Sequence, residues 1–463
     1  TNNNSLQVAL VTTNAGAITG TATVDLVSDA SNIGNCAPNC QLQLPSQDVT
    51  VRGNVFRLAN PTLNTPAIAL AARVGDASPS RALSLSNTSP DQFTEGLNAT
   101  LGAAPAGFTA QGSLTNLAAG QTNTTALQIA LQTGTAGAFS GQTNVTFVST
   151  GQGTTGAPDV GVGNASVTLS GNVYTPAQAN VTPTVHFGIV HKDEVVSDRA
   201  LTVTNAAAVT ALNDVLRGGF SGVTGPFTQN GGTLGAGLAA GATDSQSLTV
   251  GLLTTTVGAF SGQATLALTS HNDEMADLNL AQVQIALSAQ VNNFANPTFV
   301  QTGGDGVLSR TGLLYTLDFG TITQQPGSAT ALLSLLNDVP GDPRFTDLLD
   351  GTFEGTVSRF LLSGFQPFVD IQGGSAFAGL SVALDTSVLG RFDERIVLHS
   401  FSHNDDFFGA LPDVTLAFSG NIVTGGPADP VPEPSTLLLC LSGLLIGAGL
   451  RARRRRAGRA PTK

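Results

Sequence analysis

The side chains able to do chemistry are few, and most are histidines or carboxylates. The five histidines are His186, His191, His271, His399 and His403. An acid–base reading would pair His403 with Asp405 or Asp406, and His271 with Asp273 and Glu274. Such chemistry needs the imidazole within hydrogen-bond reach of its partner. Repetition argues against it. Ser270-His271-Asn272-Asp273 returns as Ser402-His403-Asn404-Asp405, 132 positions later. Asn and Asp at two equivalent strand ends are turn formers first. Oxygen ligands clustered at Asp273, Glu274 and Asp277, or at Asp405 and Asp406, would suit calcium. Neither EF-hand nor nonapeptide spacing accompanies them. A nucleophile, a base and an orienting third group do not converge on a recognisable motif. The reading is therefore of a chain that is not an enzyme, with no cofactor and no metal site, calcium being retained only as an alternative.

Cysteine chemistry is equally sparse. Cys36 and Cys40 form a C-x3-C loop, Asn35-Cys36-Ala37-Pro38-Asn39-Cys40, and Cys440 sits in an apolar segment. In an oxidising compartment the first two are expected to close a small disulfide. Free thiols and a metal site are the alternatives, and no neighbouring Cys or His completes a metal ligand set. The glycine-rich stretches lack the phosphate-cradling pattern and read as loops.

The elements that carry these residues recur. Gly16-Ala17-Ile18-Thr19-Gly20 returns as Gly137-Ala138-Phe139-Ser140-Gly141 and as Gly258-Ala259-Phe260-Ser261-Gly262, 121 residues apart each time. Val51-Arg52-Gly53-Asn54-Val55 has counterparts at 169–173, 287–291 and 418–422. The repeat divides the chain into a partial unit at 1–56, units at 57–174 and 175–294, and a diverged unit at 295–423. A linker at 424–436 and a tail at 437–463 follow. Opening in mid-repeat suggests that Thr1 is a mature end or the edge of a fragment. Alternation marks strands with one buried face: Val24 and Leu26, Val145 and Phe147, Leu266 and Leu268. Only Val209–Leu216 carries helical spacing, enough for one or two turns. Several short strands per unit predict an all-β chain of tandem immunoglobulin-like β-sandwich repeats, with a short C-terminal transmembrane helix as the one exception.

Only 11% of residues are charged, against about 25% in ordinary soluble domains. Seven of the 19 basic residues lie in the last 13 positions, which leaves 12 against 31 acidic residues in 1–450, a net charge of −19. So acidic a body repels nucleic acid. Trp is absent and only two Tyr occur, Tyr174 and Tyr315. A sugar-stacking site would therefore fall to Phe or to polar loops.

The C-terminus has three ordered parts. Val431-Pro432-Glu433-Pro434-Ser435-Thr436 precedes an uncharged apolar run at 437–450, and Arg451, Arg453, Arg454, Arg455 and Arg456 follow it. As a helix the run would span about 21 Å, short for a hydrocarbon core of about 30 Å. The arginines would stay on the cytoplasmic side, leaving the body outside. This order resembles the PEP-CTERM sorting signal, with Pro432, Glu433 and Pro434 as the sorting motif. The resemblance implies a protein held in the inner membrane of a bacterium, then processed by an exosortase and passed to the surface or medium.

The body has a resemblance of its own. Phe187-Gly188 and Asp318-Phe319-Gly320, the strands ending in Asn205 and Asn337, and the closing Ser-Gly-Asn turns are similar to the choice-of-anchor repeat proteins of bacterial surfaces. That resemblance implies an adhesive or matrix role without catalytic residues. The expected function is thus an exported structural or adhesive envelope protein, associated with extracellular matrix or exopolysaccharide. The alternative is an exopolysaccharide-binding module, with or without calcium.

Overall fold

A computed structural model describes residues 4–425. The sorting motif, the apolar run with the transmembrane helix expected there, Cys440 and the arginine cluster lie outside the described residues. Among the described residues no helix is long and apolar enough to cross a membrane. Strands dominate, and a single 3-10 turn is described, Pro343–Phe345. The all-β expectation holds for this part of the chain.

The strands gather into two compact units. The first comprises the described part of Thr1–Phe187, Val195–Leu253 and Phe260–Ala289, and the second Gly188–Glu194, Thr254–Ala259 and the described part of Gln290–Lys463. Near the start of the first unit, Gly16–Val24 pairs antiparallel with Gln47–Val55. A five-stranded sheet follows, in the order Ser113–Leu117, Gly96–Leu101, Gly137–Thr150, Val160–Tyr174, Ala67–Arg73. Its last pair is parallel. Two three-stranded sheets supply the other strands of this region, one holding Phe108–Gln111, Gln128–Leu131 and Ser80–Ala82, the other Thr122–Asn123, Leu85–Asn87 and Pro61–Leu63. The core is apolar, with Leu97, Leu127, Ile129, Leu131, Val145, Val167 and Leu169 fully buried. The same pattern recurs further along, where Val215–Val223 pairs with Gly258–His271.

In the second unit, Pro297–Gly304, Ser328–Asn337, Ala376–Asp385 and Phe360–Ser363 form one sheet. The other runs Val307–Thr311, Leu314–Thr323, Val414–Val423, Gly390–Asn404, Leu348–Glu354, Phe368–Ile371, with Phe407–Ala410 hairpinned onto Gly390–Asn404. Tyr315, Leu317, Leu349, Leu398, Leu416 and Phe418 lie in the core these strands share.

Period-two patterning explains these strands. Along Val414–Val423 every second residue from Val414 is buried and each neighbour is half-buried or exposed. Val145, Phe147, Leu266 and Leu268 all point inward as their alternation requires. Leu26 departs from the expectation. The first strand ends at Val24, and Leu26 lies 38% exposed beyond it. The helical spacing at 209–216 also misleads. Asn213 accepts a hydrogen bond from the Thr210 amide and donates to the Ala208 carbonyl. That closes a turn, after which the chain enters the strand Val215–Val223.

The Phe-Gly motif gains a reason. Gly320 sits at φ +69°, where the register of Leu314–Thr323 against Val414–Val423 shifts between Asp318 and Thr321. A residue without Cβ occupies this left-handed position at low cost. The Asp318 carboxylate accepts from the Gly320 amide at 3.0 Å and from Ser419 Oγ at 2.8 Å. These bonds hold its pKa below the ordinary value.

Candidate functional site

The most constrained polar groups are three buried carboxylates, each at the end of a sandwich. All three begin at a fully buried asparagine that closes a strand: Asn87, Asn205 and Asn337. Asn87 Oδ1 accepts from the Asn60 amide, and its Nδ2 donates to the carbonyls of Glu95 and Leu117. Asn205 binds the Gln178 amide and the carbonyls of Asp214 and Leu238 in the same way. Asn337 does so with Asn296, Asp347 and Ile371. Each asparagine thereby fixes the acidic residue eight to ten positions after it.

The acids then collect donors. Asp214, fully buried, accepts from Ser270 Oγ at 2.7 Å, Asn272 Nδ2 at 2.6 Å and Arg73 Nε at 2.5 Å. Arg73 Nη2 also donates to the carbonyls of Ser270 and Ala276. Asp347 accepts from Ser402 Oγ at 2.9 Å, Asn404 Nδ2 at 2.9 Å and Asn292 Nδ2 at 2.9 Å, and pairs with His191 Nε2 at 2.7 Å. The His191 ring stacks on Phe294 with centroids 3.7 Å apart. Glu95 accepts from Ser149 Oγ at 2.8 Å and Thr155 Oγ1 at 2.7 Å. Burial pushes the Asp347 carboxyl up, but the hydrogen bonds from His191, Asn292, Asn404 and Ser402 outweigh it and hold the pKa below the ordinary value. A buried charge survives only with this degree of pairing.

Ser-His-Asn-Asp is thus more than a turn. Asn272 and Asn404 do build turns, accepting from the amides of Glu274 and Asp406, while their Nδ2 atoms reach the buried acid. Ser270 and Ser402 point inward, and their hydroxyls also accept from the amides of Ala177 and Ala295. His271 and His403, one position on, lie on the opposite face of the strand. Serine and histidine of the motif therefore do not form a nucleophile–base pair.

The histidines keep only one of the acids that adjacency proposed, Asp273 on His271. His271 contacts Asp277 through Nδ1 at 2.6 Å and Asp273 through Nε2 at 3.3 Å. Glu274 instead accepts from Asn172 at 2.7 Å. His403 faces neither Asp405 nor Asp406. Its Nε2 lies 3.1 Å from Asp350 and 3.2 Å from Asp370. Asp406 accepts from the Ile189 amide at 2.8 Å. His399 lies between Asp413 and Glu354 at 2.8 and 3.0 Å, which together raise its pKa, Asp413 the more. His186 Nδ1 pairs with Ser288 Oγ at 2.6 Å. Of the acids weighed as calcium ligands, Asp273 and Asp277 both contact His271, Glu274 and Asp406 bond elsewhere, and the Asp273 side chain is 99% exposed.

Cys36 and Cys40 are free thiols, a departure from the loop disulfide. Cys36 Sγ is hydrogen-bonded to the Asn39 carbonyl, and Cys36 pushes the Cys40 thiol pKa up. A protonated thiol is a poor nucleophile for disulfide exchange.

The sorting motif is decided by comparison. Residues 430–456 match the family described as the PEP-CTERM protein-sorting motif. The chain carries a PEP-CTERM sorting signal. Such a signal implies an exported protein and exosortase processing. The match includes Pro432, Glu433, Pro434 and the arginines from Arg451 to Arg456. No curated protein matches the chain. Among solved structures, mouse protocadherin-24 EC1-3 is similar at 10% identity and TM-score 0.33, covering 78% of this chain and 98% of its own. Drosophila N-cadherin EC1-4 is similar at 10% identity and TM-score 0.25, covering 88% and 84%. A protein of unknown function from Porphyromonas gingivalis W83 has 12% identity and TM-score 0.19, covering 50% and 99%. Likeness at this level carries nothing about function.

The sequence reading missed Glu95, Asp214, Asp347, Asp350 and Asp370. For the first three a signal existed: an acid eight to ten residues beyond each strand-ending asparagine.

Proposed function

We propose that this protein is an exported structural or adhesive component of a bacterial cell envelope. The C-terminal sorting signal behind an all-β body carries the reading. In this account the sandwich repeats at 57–174, 175–294 and 295–423 act as a spacer or matrix element of choice-of-anchor type. The apolar run holds the protein in the inner membrane until an exosortase acts at or near Pro432-Glu433-Pro434. The test is mass spectrometry of the C-terminus, on protein recovered from membranes and from medium. Loss of the apolar run and arginine cluster in the mature form is expected. An intact tail, confined to the inner membrane, would reduce the segment to an ordinary anchor.

A second reading, exopolysaccharide binding, is favoured by one observation. The Phe408 side chain is 66% exposed and stacks on Phe401 with centroids 5.3 Å apart, which offers a flat apolar face to a sugar ring. Glycan-array binding that disappears in Phe408→Ala would support it. Binding that survives in that variant would remove Phe408 from consideration.

A further inference from the structure

Four histidines among the described residues, His191, His271, His399 and His403, stand between two carboxylates, and the last differs from the others. At His191, His271 and His399 each ring nitrogen takes its own acid. In that arrangement each ring nitrogen faces a single acceptor. At His403 both carboxylates converge on one nitrogen. Asp350 Oδ1 and Asp370 Oδ1 lie 3.1 and 3.2 Å from the same Nε2. One N–H points well at one acceptor and poorly at two. A cation held by all three atoms resolves the geometry.

The three residues sit on adjacent strands of one sheet. Asp350 is in Leu348–Glu354, which pairs on one side with Gly390–Asn404, the strand of His403, and on the other with Phe368–Ile371, the strand of Asp370. The register places Leu348 opposite His403 and Asp350 opposite Phe401. Asp350 and His403 are thus diagonal neighbours on one face. On the other side the register shifts between Leu349 and Gly351, and the Asp370 amide donates to Asp350 Oδ1 at 2.8 Å. The site is therefore assembled on strands rather than on a loose loop. Among the described residues, neither Asp350 nor Asp370 forms an ion pair with Lys or Arg.

We propose that His403 Nε2, Asp350 and Asp370 form a surface site for a divalent transition-metal ion, zinc being the best fit. The three ligand atoms all lie within 4.8 Å of one another. Zinc binds imidazole nitrogen and carboxylate oxygen at about 2.0–2.2 Å, so tetrahedral ligands stand roughly 3.3 Å apart. The two edges to Nε2, 3.1 and 3.2 Å, are close to that spacing. An imidazole ligand favours zinc over calcium and magnesium, which prefer all-oxygen shells. With Asp370 66% exposed, coordination positions stay open to water or to an external carboxylate.

The experiment is calorimetric titration of the whole chain with zinc chloride, its cysteines alkylated beforehand to remove thiolate ligands. A saturable site is expected that His403→Ala and Asp350→Asn each weaken by about tenfold or more, since each removes one of three ligands. His399→Ala should leave it unchanged, as should a hundredfold excess of calcium. Cobalt titrated in place of zinc should give visible absorption bands that vanish in His403→Ala. Thermal melting of each variant separates lost ligation from lost folding, and Asp370→Asn, at the exposed edge, is the variant least able to unfold the sheet. No zinc binding by the native chain would overturn the proposal. So would zinc affinity retained in folded His403→Ala, or lost equally in His399→Ala.

Discussion

At the scale of single residues, buried carboxylates decide more than exposed histidines. Asp347 is 1% exposed and takes four side-chain partners. Asp347→Ala strands these donors, and breaking a buried pair costs about 3–5 kcal/mol. The expected result is a large fall in denaturant midpoint. The acid limb should change as well. The folded-state pKa of Asp347 lies below its unfolded value, so the unfolded chain binds the proton more readily. The stabilisation is complete above the ordinary carboxylate range and disappears as pH falls through the depressed value. Native protein should therefore lose stability on acidification more steeply than Asp347→Ala, and identical acid limbs in urea titrations would remove Asp347 from that role. Sequence alone hid this node. Its donors come from positions 191, 292, 402 and 404, and only the folded sheets bring them together. The proposed metal ligands were hidden for the same reason. Asp350, Asp370 and His403 are neighbours by strand pairing, while sequence adjacency favoured Asp405 and Asp406.

At the scale of elements, most of the fold was legible, because a strand with one buried face writes a period of two into its residues. Leu169 is fully buried in Val160–Tyr174, flanked by exposed Thr168 and Ser170. Leu169→Ala should cost about 2–5 kcal/mol, while Thr168→Ala should fall within about 0.5 kcal/mol of native. Comparable losses at both positions in thermal melts would contradict the register. The Gly320 bulge makes a subtler prediction. Nothing lies within 4 Å of a Cβ built there, so only its φ of +69° opposes a side chain. Gly320→Ala should cost about 1–2 kcal/mol, and Gly320→Asn less, since Asn tolerates that region better. Equal effects of the two would point to packing rather than backbone. What patterning misjudged was punctuation. The stretch 209–216 has helical spacing, yet Asn213 bonds locally and turns the chain, a choice that spacing does not encode.

At the scale of the whole molecule, charge and repetition were plain in the sequence, and so was the tail, whose order of parts needs no folded structure to be read. The two compact units were not, since nothing local records which sandwiches share contacts. The charge separation has a direct consequence. A chain ending before residue 430 loses every arginine of the tail and keeps an acidic body, so it should show no retention on duplex DNA at physiological salt, whereas phosphate binding would need a basic surface. Retention by the truncated chain in a mobility-shift assay would show a basic patch that the net charge conceals.

The bond between Arg73 and Asp214 has one more implication, a mechanical one. Arg73 ends the strand Ala67–Arg73, and its guanidinium is gripped by an acid and two carbonyls more than 140 residues further on. Tension along the chain must draw that cation out of its socket before the sandwiches on either side can swing apart. The joint should therefore behave as a clasp under load. In single-molecule pulling, Arg73→Met should yield at lower force during early extension, leaving the later unravelling of each sandwich unchanged.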